Sequence, residues 1–410
     1  MKQFVGRLFP HLIQRLKIFG RKHPKIKAFL LPFLLPFIRS PYQDYLGSHA
    51  VHAVQNQMFP LEAETAEHIM VIVIPEHNEM SGGIYSFFAI AKAAYALRHK
   101  HDYQVLLMTR PNRYNATYLK QRNFRNSEIV FRFEQIVRCR GAKTVYLQVP
   151  EYAASSFARE LNEESFNYLR SRERLYVNIL NQKTDLMEEK EAFKDLRSLA
   201  TELTQSVAHH AYFSQAFADR YTMPMLLLPA YTDLSDYNAI PFGEKDKLII
   251  YSPDEADYRE AVLAKLEKGL PDYTLREIRG LTFDHYMDLA TRCRFSVTFG
   301  EGFDGYLAQP IHQGGVGFAV YNDKYFPFKG LANFDNIFAS GEAMASGIVD
   351  RIRALESDPE FYRRTNLAMI NVYNSLYSRE DYLRRIEMLI HRQFELYPLH
   401  LSGESKAVRL

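Results

Sequence analysis

The segment 298–315 carries an acid and an amide in a pattern suited to holding hydroxyl or phosphate groups. Glu301 and Gln309 are separated by seven residues, and each side chain has an oxygen that accepts hydrogen bonds from hydroxyl groups. Asp304 is a favourable N-cap residue, so we predict a helix that runs from there to about His312. The free backbone N–H groups and the dipole at the start of such a helix favour a bound anion or hydroxyl group.

The residues around this acid and amide predict a strand, a turn and a helix. The run 294–299 alternates and is rich in β-forming residues, Gly300 and Gly302 allow a tight turn, and Pro310 can kink the helix or end it early. A glycine-rich turn between a strand and a helix is also ordinary in α/β proteins. The segment alone therefore leaves a purely structural role open.

This segment resembles the motif of two glutamates, seven residues apart, of retaining GT-B glycosyltransferases of the family-four type. In that family the first glutamate contacts the donor sugar and the second contacts the ribose of the nucleotide. The resemblance implies an α/β fold of two Rossmann-like, doubly wound parallel-sheet lobes with a cleft between them. It places Glu301 on the sugar and Gln309 on the ribose, where the lost charge weakens donor binding. Further donor contacts would come from Gly302, Phe303, Asp304 and Gly305.

Length and composition are typical of a two-lobed enzyme. The 410 residues exceed the roughly 250–300 at which a single hydrophobic core stops growing. The net charge of +3 is too small to indicate nucleic-acid binding by the chain as a whole. Cys139 and Cys293 lie far apart in the sequence, which favours a reducing compartment and argues against a disulfide or zinc scaffold.

The first forty residues differ from the rest because they are basic, and the first acidic residue of the sequence is Asp44. Apolar residues at helical spacing between the charges predict a basic amphipathic helix, and the apolar run 28–38 is too short and too interrupted by proline to span a bilayer. We predict a membrane-associating arm at 1–50 that binds an anionic membrane surface through residues 1–40, on the inner face of the cytoplasmic membrane. A domain-packing arm and a nucleic-acid tail are the alternatives.

The first lobe is predicted at 60–235. A continuous apolar strand at 69–74 is followed by a turn with Ser81, Gly82 and Gly83 and a helix at 84–98, as at the opening of a nucleotide-binding half. The turn lacks the three-glycine fingerprint, so NAD is not expected. It resembles the turn of the glycosyltransferases that closes over the donor phosphates or the acceptor. Further strands are predicted at 103–108, 127–131, 144–149, 175–180, 206–208 and 225–228.

Several polar residues follow the predicted strands of this lobe, at the sheet edge where α/β proteins bind ligands. Glu151 is a candidate for the acceptor side of the cleft, or a solvated carboxylate that begins the next helix. Asn181 and Gln182 either bind hydroxyl groups or cap a turn. His209 or His210 either faces the cleft or packs in the core.

The second lobe is predicted at 240–375, with strands at 247–251, 273–278, 295–299 and 316–321 and helices at 257–270 and 283–292. Three helical stretches run from 341 to 396, and the resemblance implies that a C-terminal helix at 376–410 returns to the first lobe. Where the family has an arginine and a lysine for the donor diphosphate, this chain has Ser252-Pro253-Asp254-Glu255. Arg259 is a candidate substitute.

No metal and no cofactor are expected. The sequence has no Asp-x-Asp pair, which fits a metal-independent transferase, and a metal group at Glu76, His77 and Glu79 is a weak alternative.

The resemblance implies transfer of a sugar from a nucleotide-sugar donor to a glycan or lipid-linked glycan, as in bacterial capsule, O-antigen or rhamnan synthesis. Retaining members need no side-chain base, whereas an inverting enzyme would need one, for which Glu151 is the candidate. A nucleotide-sugar epimerase and a non-catalytic scaffold in a polysaccharide-assembly complex remain as alternatives.

Overall fold

The computed structural model describes residues 59–74, 82–112, 126 and 128–399, which form two parallel β-sheets covered by helices. The predicted arm at 1–50, Ser81 and the three residues of the alternative metal group lie outside the described residues.

The N-terminal lobe is built on a seven-stranded sheet with the order β3-β2-β1-β4-β5-β6-β7, in which every pairing is parallel. Its central strands are buried on both faces, which is why they read as continuous apolar runs. The strands are β1 (His68–Ile74), β2 (Gln104–Thr109), β3 (Val130–Phe131), β4 (Thr144–Pro150), β5 (Arg174–Asn181), β6 (Glu202–Val207) and β7 (Met225–Leu227).

Helices cover both faces of this sheet. One face packs against α2, and the other packs against α1, α3, α4 and α5. The helices are α1 (Leu61–Thr65), α2 (Gly82–Ala96), α3 (Glu151–Glu160), α4 (Glu163–Arg170), α5 (Lys194–Leu199) and α6 (Gln215–Tyr221).

The C-terminal lobe has a five-stranded parallel sheet with the order β12-β11-β10-β8-β9. Its strands are β8 (Asp246–Tyr251), β9 (Thr274–Glu277), β10 (Cys293–Val297), β11 (Val316–Val320) and β12 (Ile337–Phe338). Its helices are α7 (Arg259–Gly269), α8 (Phe283–Arg292), α9 (Gly305–His312), α10 (Gly341–Ser357) and α11 (Pro359–Leu376). The segment 228–245 connects the two sheets.

The last helix, α12 (Arg379–Ile390), packs on the N-terminal lobe. Its residues Ile386 and Leu389 belong to the apolar cluster that includes α2. The buried hydroxyl of Tyr146 on β4 donates a hydrogen bond to the carbonyl of Leu389 at 3.1 Å. The chain thus crosses between the lobes twice, once through 228–245 and once between α11 and α12.

Strand order reverses direction between β1 and β4 in the first sheet and between β8 and β10 in the second. Open α/β sheets bind ligands at such switch points, beyond the carboxyl ends of the strands. Residues that follow these strands in both lobes line one common cleft. No helix within the described residues is both long and apolar enough to cross a membrane.

Candidate active site

The interlobe cleft has a volume of about 860 Å³. The segments after β1, β4, β5 and β6 form its N-terminal wall, and the loop after β10 together with α9 forms its C-terminal wall. A smaller adjoining space of about 390 Å³ reaches Asp254 after β8 and the start of α8. The predicted residues Glu301, Asp304, Gly305, Gln309, Gly82 and Gly83 line both spaces.

Glu301 lies in the loop after β10 and faces the opposite lobe. Its Oε1 is 3.5 Å from Nζ of Lys183, which follows β5. Burial raises the pKa of the Glu301 carboxyl, Asp254 raises it further, and Lys183 opposes both effects. The carboxylate is therefore held across the cleft by one cation, in a position to accept hydroxyl hydrogen bonds.

Asp304 caps α9, as the sequence predicts, because its side chain accepts a hydrogen bond from the backbone N–H of Leu307 at 3.1 Å. Burial, with the neighbouring carboxylates Asp254 and Glu301, raises its pKa to about 7. The carboxyl group thus occupies part of the helix terminus that the sequence assigned to a bound anion. The structure gives Asp304 a structural contact there in addition to a place on the cleft wall.

Gly302 and Phe303 are placed differently from the predicted donor contacts. Gly302 has φ +79°, and a Cβ there would lie 2.8 Å from the carbonyl oxygen of Val320, so this residue packs against β11 and does not line the cleft. Phe303 lines the cleft but is 2% exposed and stacks on Tyr373 with ring centroids 4.8 Å apart. Both residues fix the loop, and the predicted donor contact of Gly302 could come only from its backbone N–H.

Gln309 lies one turn after Gly305, and its side chain folds back over that glycine. A Cβ at Gly305 would come within 2.9 Å of the Gln309 amide. The amide nitrogen is also 3.5 Å from the hydroxyl oxygen of Thr232, in the segment that connects the lobes. Gln309 is 9% exposed and lines the cleft, so the acid and the amide of the sequence motif do share one wall.

Glu151 lies on the opposite wall, at the carboxyl end of β4, as the first residue of α3. It is 4% exposed, its carboxylate accepts backbone hydrogen bonds from Gln182 and Lys183, and Oε2 has no hydrogen-bond partner among the described residues. Burial raises the pKa of Glu151 to about 7. This side chain is therefore a buried carboxyl at the cleft, not the solvated one that was the alternative.

The start of α2 forms the remainder of this wall. The Gln182 amide donates a hydrogen bond to the carbonyl of Gly83 at 3.1 Å, which joins the β1 turn to the end of β5. Asn181 is fully buried, and neither polar atom of its side chain has a partner among the described residues.

The two histidines after β6 have separate surroundings. His209 lines the cleft between Tyr212 and Tyr325, and burial lowers its pKa to about 4. His210 packs edge-on against Tyr377. His209 is therefore a neutral imidazole at the cleft near neutral pH.

Arg259, the candidate phosphate ligand, is committed elsewhere. Its guanidinium pairs with Glu277 at 2.9 Å and lies over the rings of Tyr251 and Phe299. It lines neither part of the cleft, whereas Asp254 lines the smaller part. The C-terminal wall is therefore acidic at the place where the resemblance to the family-four transferases implied cations.

Sequence reasoning missed several residues that line the cleft, chiefly Lys183, Tyr85 and Arg379. Lys183 directly follows Gln182 at a strand end, so the rule that selected Gln182 could have selected it as well. Arg379 begins α12, and only the crossing of that helix brings it to the cleft. No local signal identifies such a residue.

No family model matches the sequence, and no curated protein matches it. Solved structures do match. HepE from Anabaena, in a complex with UDP and glucose, is 11% identical, and the match covers 79% of this chain and 99% of that chain with a TM-score of 0.50. The chain has the GT-B fold.

Two further solved structures are similar to a lesser degree. A glycosyltransferase from Rickettsia africae is 10% identical over 79% of this chain and 98% of that chain, with a TM-score of 0.49. A UDP-GlcNAc 2-epimerase from Neisseria meningitidis bound to UDP-GlcNAc is 9% identical over 80% and 99%, with a TM-score of 0.44. Within the described part of this GT-B chain, no group of three His, Cys, Asp or Glu side chains is arranged to hold a metal ion.

Proposed function

We propose that this protein is a glycosyltransferase that moves a sugar from a nucleotide-sugar donor to a glycan or lipid-linked glycan. One observation carries the proposal. Glu301 and Gln309 share the C-terminal wall of the interlobe cleft, while the buried carboxyl of Glu151 lies on the N-terminal wall. Hydroxyl acceptors on one wall and a carboxyl with a raised pKa on the other suit sugar binding and proton transfer.

The shape of the cleft supports a donor on the C-terminal wall. Small-molecule sites span roughly 300–1,000 Å³, and this cleft is at the upper end, with room for a nucleotide sugar and part of an acceptor. Glu301 would contact the sugar and Gln309 the ribose. The N–H groups of α9 that Asp304 leaves free would lie near the donor.

The acceptor would approach the N-terminal wall, beside Glu151. With a pKa of about 7, that carboxyl is in part ionised near neutral pH and in part protonated, the range in which a general base is effective. In an inverting reaction Glu151 would take the acceptor proton. In a retaining reaction, which the sequence motif favours, the leaving phosphate would take it and Glu151 would orient the acceptor. Neither route needs a metal or a cofactor.

The test of this function is a ligand screen followed by one substitution. The purified chain is heated with UDP-, GDP-, dTDP- and CMP-sugars, and a ligand that binds only the folded state raises the melting temperature. With the donor found, Glu301→Gln is expected to lower transfer by at least a hundredfold and to leave the melting temperature within about 2 °C, because the side chain is one-third exposed and glutamine has nearly the same shape.

Other results would identify another function. Conversion of the free nucleotide sugar to its epimer without an acceptor would show an epimerase. Failure of every nucleotide sugar to bind would favour a scaffold in a polysaccharide-assembly complex. Full activity of Glu301→Gln would remove Glu301 from the site.

The basic arm suggests where the enzyme works. Confinement to the inner face of the cytoplasmic membrane would bring it to lipid-linked acceptors of cell-surface polysaccharide synthesis, such as capsule, O-antigen or rhamnan. Each Lys or Arg near an anionic surface contributes about 1 kcal/mol to binding. Replacing Arg15, Lys17, Arg21 and Lys22 by glutamine should therefore release the full chain from phosphatidylserine vesicles in a sedimentation assay. Equal sedimentation would exclude the arm as the anchor.

A further inference from the structure

The C-terminal wall of the cleft has an unusual charge for a site that receives a diphosphate. Three carboxylates, Asp254, Glu301 and Asp304, line it or the adjoining space, and burial together with the nearby charge of Asp254 raises the pKa of Glu301 and of Asp304. Arg259, which begins α7, is paired with Glu277 away from the cleft. A diphosphate bound to this lobe alone would meet repulsion.

The cations of the described cleft come from outside that lobe's sheet. Lys183 follows β5 of the N-terminal lobe, and Arg379 begins α12. Burial lowers the pKa of His209 and of His312, so neither imidazole supplies a charge at neutral pH. Arg379 acts electrostatically on Asp233, in the segment that joins the lobes. Lys183 alone contacts the acid of the sequence motif.

The backbone of Lys183 is fixed by a hydrogen bond, whereas its side-chain ammonium group can move. Its backbone N–H donates to the buried carboxylate of Glu151, whereas the Nζ atom has one ion pair in the described structure, with Glu301. That pair spans 3.5 Å between two partly exposed groups, longer than the roughly 2.7–2.9 Å of a strong charged hydrogen bond. Such pairs contribute little stability, so a phosphate can displace Glu301.

We propose that Lys183 binds the phosphates of the donor and exchanges its ion pair with Glu301 for them. This inference rests on the proposed function. The exchange neutralises the donor from the opposite lobe and at the same time frees the Glu301 carboxylate to accept sugar hydroxyl groups. It also requires the lobes to stay close, because the phosphate lies against one lobe and its cation belongs to the other.

The experiment compares nucleosides with nucleoside diphosphates on the full chain. Calorimetry is performed with UDP, GDP and dTDP and with uridine, guanosine and thymidine. Lys183→Gln should weaken binding of the preferred diphosphate at least tenfold and change nucleoside binding less than twofold, because only the diphosphate carries the charge that the lysine meets. Lys190→Gln, an exposed lysine outside the cleft, is the matched control and should bind like the wild type.

Two more variants separate this inference from its alternatives. Glu301→Gln removes the competing partner, so diphosphate affinity should be equal to or greater than that of the wild type. Arg379→Gln should change the affinity for the diphosphate less than threefold. The inference is overturned if Lys183→Gln binds the diphosphate normally or loses nucleoside and diphosphate equally, or if Arg379→Gln reproduces the loss. If the wild type binds none of the six compounds and none of the nucleotide sugars of the thermal screen, the proposed function fails as well.

Discussion

Glu151 is a buried residue that lowers the stability of the fold when it is ionised and that is placed to take part in the reaction. Its carboxyl is 4% exposed, and one oxygen lacks a hydrogen-bond partner among the described residues. An ionised carboxylate in such a place is poorly solvated, which raises its pKa from 4.5 to about 7 despite hydrogen bonds from its own backbone N–H and those of Gln182 and Lys183. A residue that only stabilised the fold would be better replaced by an uncharged one, so its presence at the cleft is consistent with a functional role.

The first prediction concerns pH and stability at this residue. A carboxyl whose pKa is raised by folding contributes its full stability below its unfolded value of 4.5, and the contribution is lost as pH rises through about 7. Glu151→Gln should therefore match the wild type near pH 4.5 and become more stable than it by about 3 kcal/mol at pH 8. Urea unfolding across this range measures the difference.

The control for that measurement is Glu191→Gln, an exposed carboxyl whose variant should follow the wild type at every pH. A difference between Glu151→Gln and the wild type that stays constant with pH would contradict the burial argument. If Glu151 is also the catalytic base, Glu151→Gln should lose sugar transfer while it gains stability at pH 8.

At the scale of residues, the sequence identified cleft residues whose position within a predicted strand, turn or helix indicated a place at the cleft. Glu151 was selected because it ends a predicted strand, and Glu301 and Gln309 because of their spacing in a strand–turn–helix segment that resembles a family motif. All three line the cleft. Lys183 was missed because its contact with Glu301 joins the two lobes, and no local pattern encodes a contact between distant segments.

At the scale of elements, the loop between β10 and α9 depends on backbone geometry. Gly300 and Gly302 have φ of +70° and +79°, which side-chain-bearing residues rarely adopt. The strand ends earlier than the predicted 299, because the N–H of Phe299 turns to the hydroxyl of Ser252 at 2.9 Å. This contact and the glycine turn together aim Glu301 at the opposite lobe.

The second prediction tests this loop with Gly302→Ala. The new Cβ would meet the carbonyl oxygen of Val320 at 2.8 Å and add strain at positive φ, so the free energy of unfolding should fall by about 1–3 kcal/mol. Donor affinity should fall with it, because Glu301 precedes this position. Gly243→Ala, with no atom within 4 Å of its Cβ and no positive φ, is the control and should be neutral. Wild-type stability of Gly302→Ala would show that the loop has another conformation.

Most helices and strands could be predicted because the pattern of apolar residues within each element shows which of its faces are buried. The strands β1 and β4 are buried on both faces and appear as unbroken apolar runs, and α8 coincides with its predicted limits of 283 and 292. The strand β12 was missed, since two residues are too short to show a period. The packing of Gly302 against β11 could not be predicted, because the sequence shows a tight turn but not the strand that it contacts.

At the scale of the whole molecule, contacts at both edges of the cleft hold the lobes together. Tyr85 of α2 stacks on Phe283 of α8 with ring centroids 5.0 Å apart. Elsewhere, Tyr325 packs on His209 and Tyr212, and Lys324 pairs with Asp185. Among the described residues these interlobe contacts are single ring pairs and ion pairs, so an open state that admits substrates should lie close in free energy.

The last prediction concerns this opening. Tyr85→Ala removes a stacked aromatic pair worth about 0.5–1.5 kcal/mol beyond its buried area, and that pair joins the lobes, so the open state should become more populated. Small-angle scattering should then give a larger radius of gyration for the free protein, and donor affinity should fall several-fold. Tyr85→Phe keeps the stacked ring, so its radius of gyration should match that of the wild type. If the alanine variant binds the donor normally and stays as compact, the stack packs two surfaces without governing closure, and other interlobe contacts, such as those of Tyr325, Lys324 and Lys183, hold the lobes together.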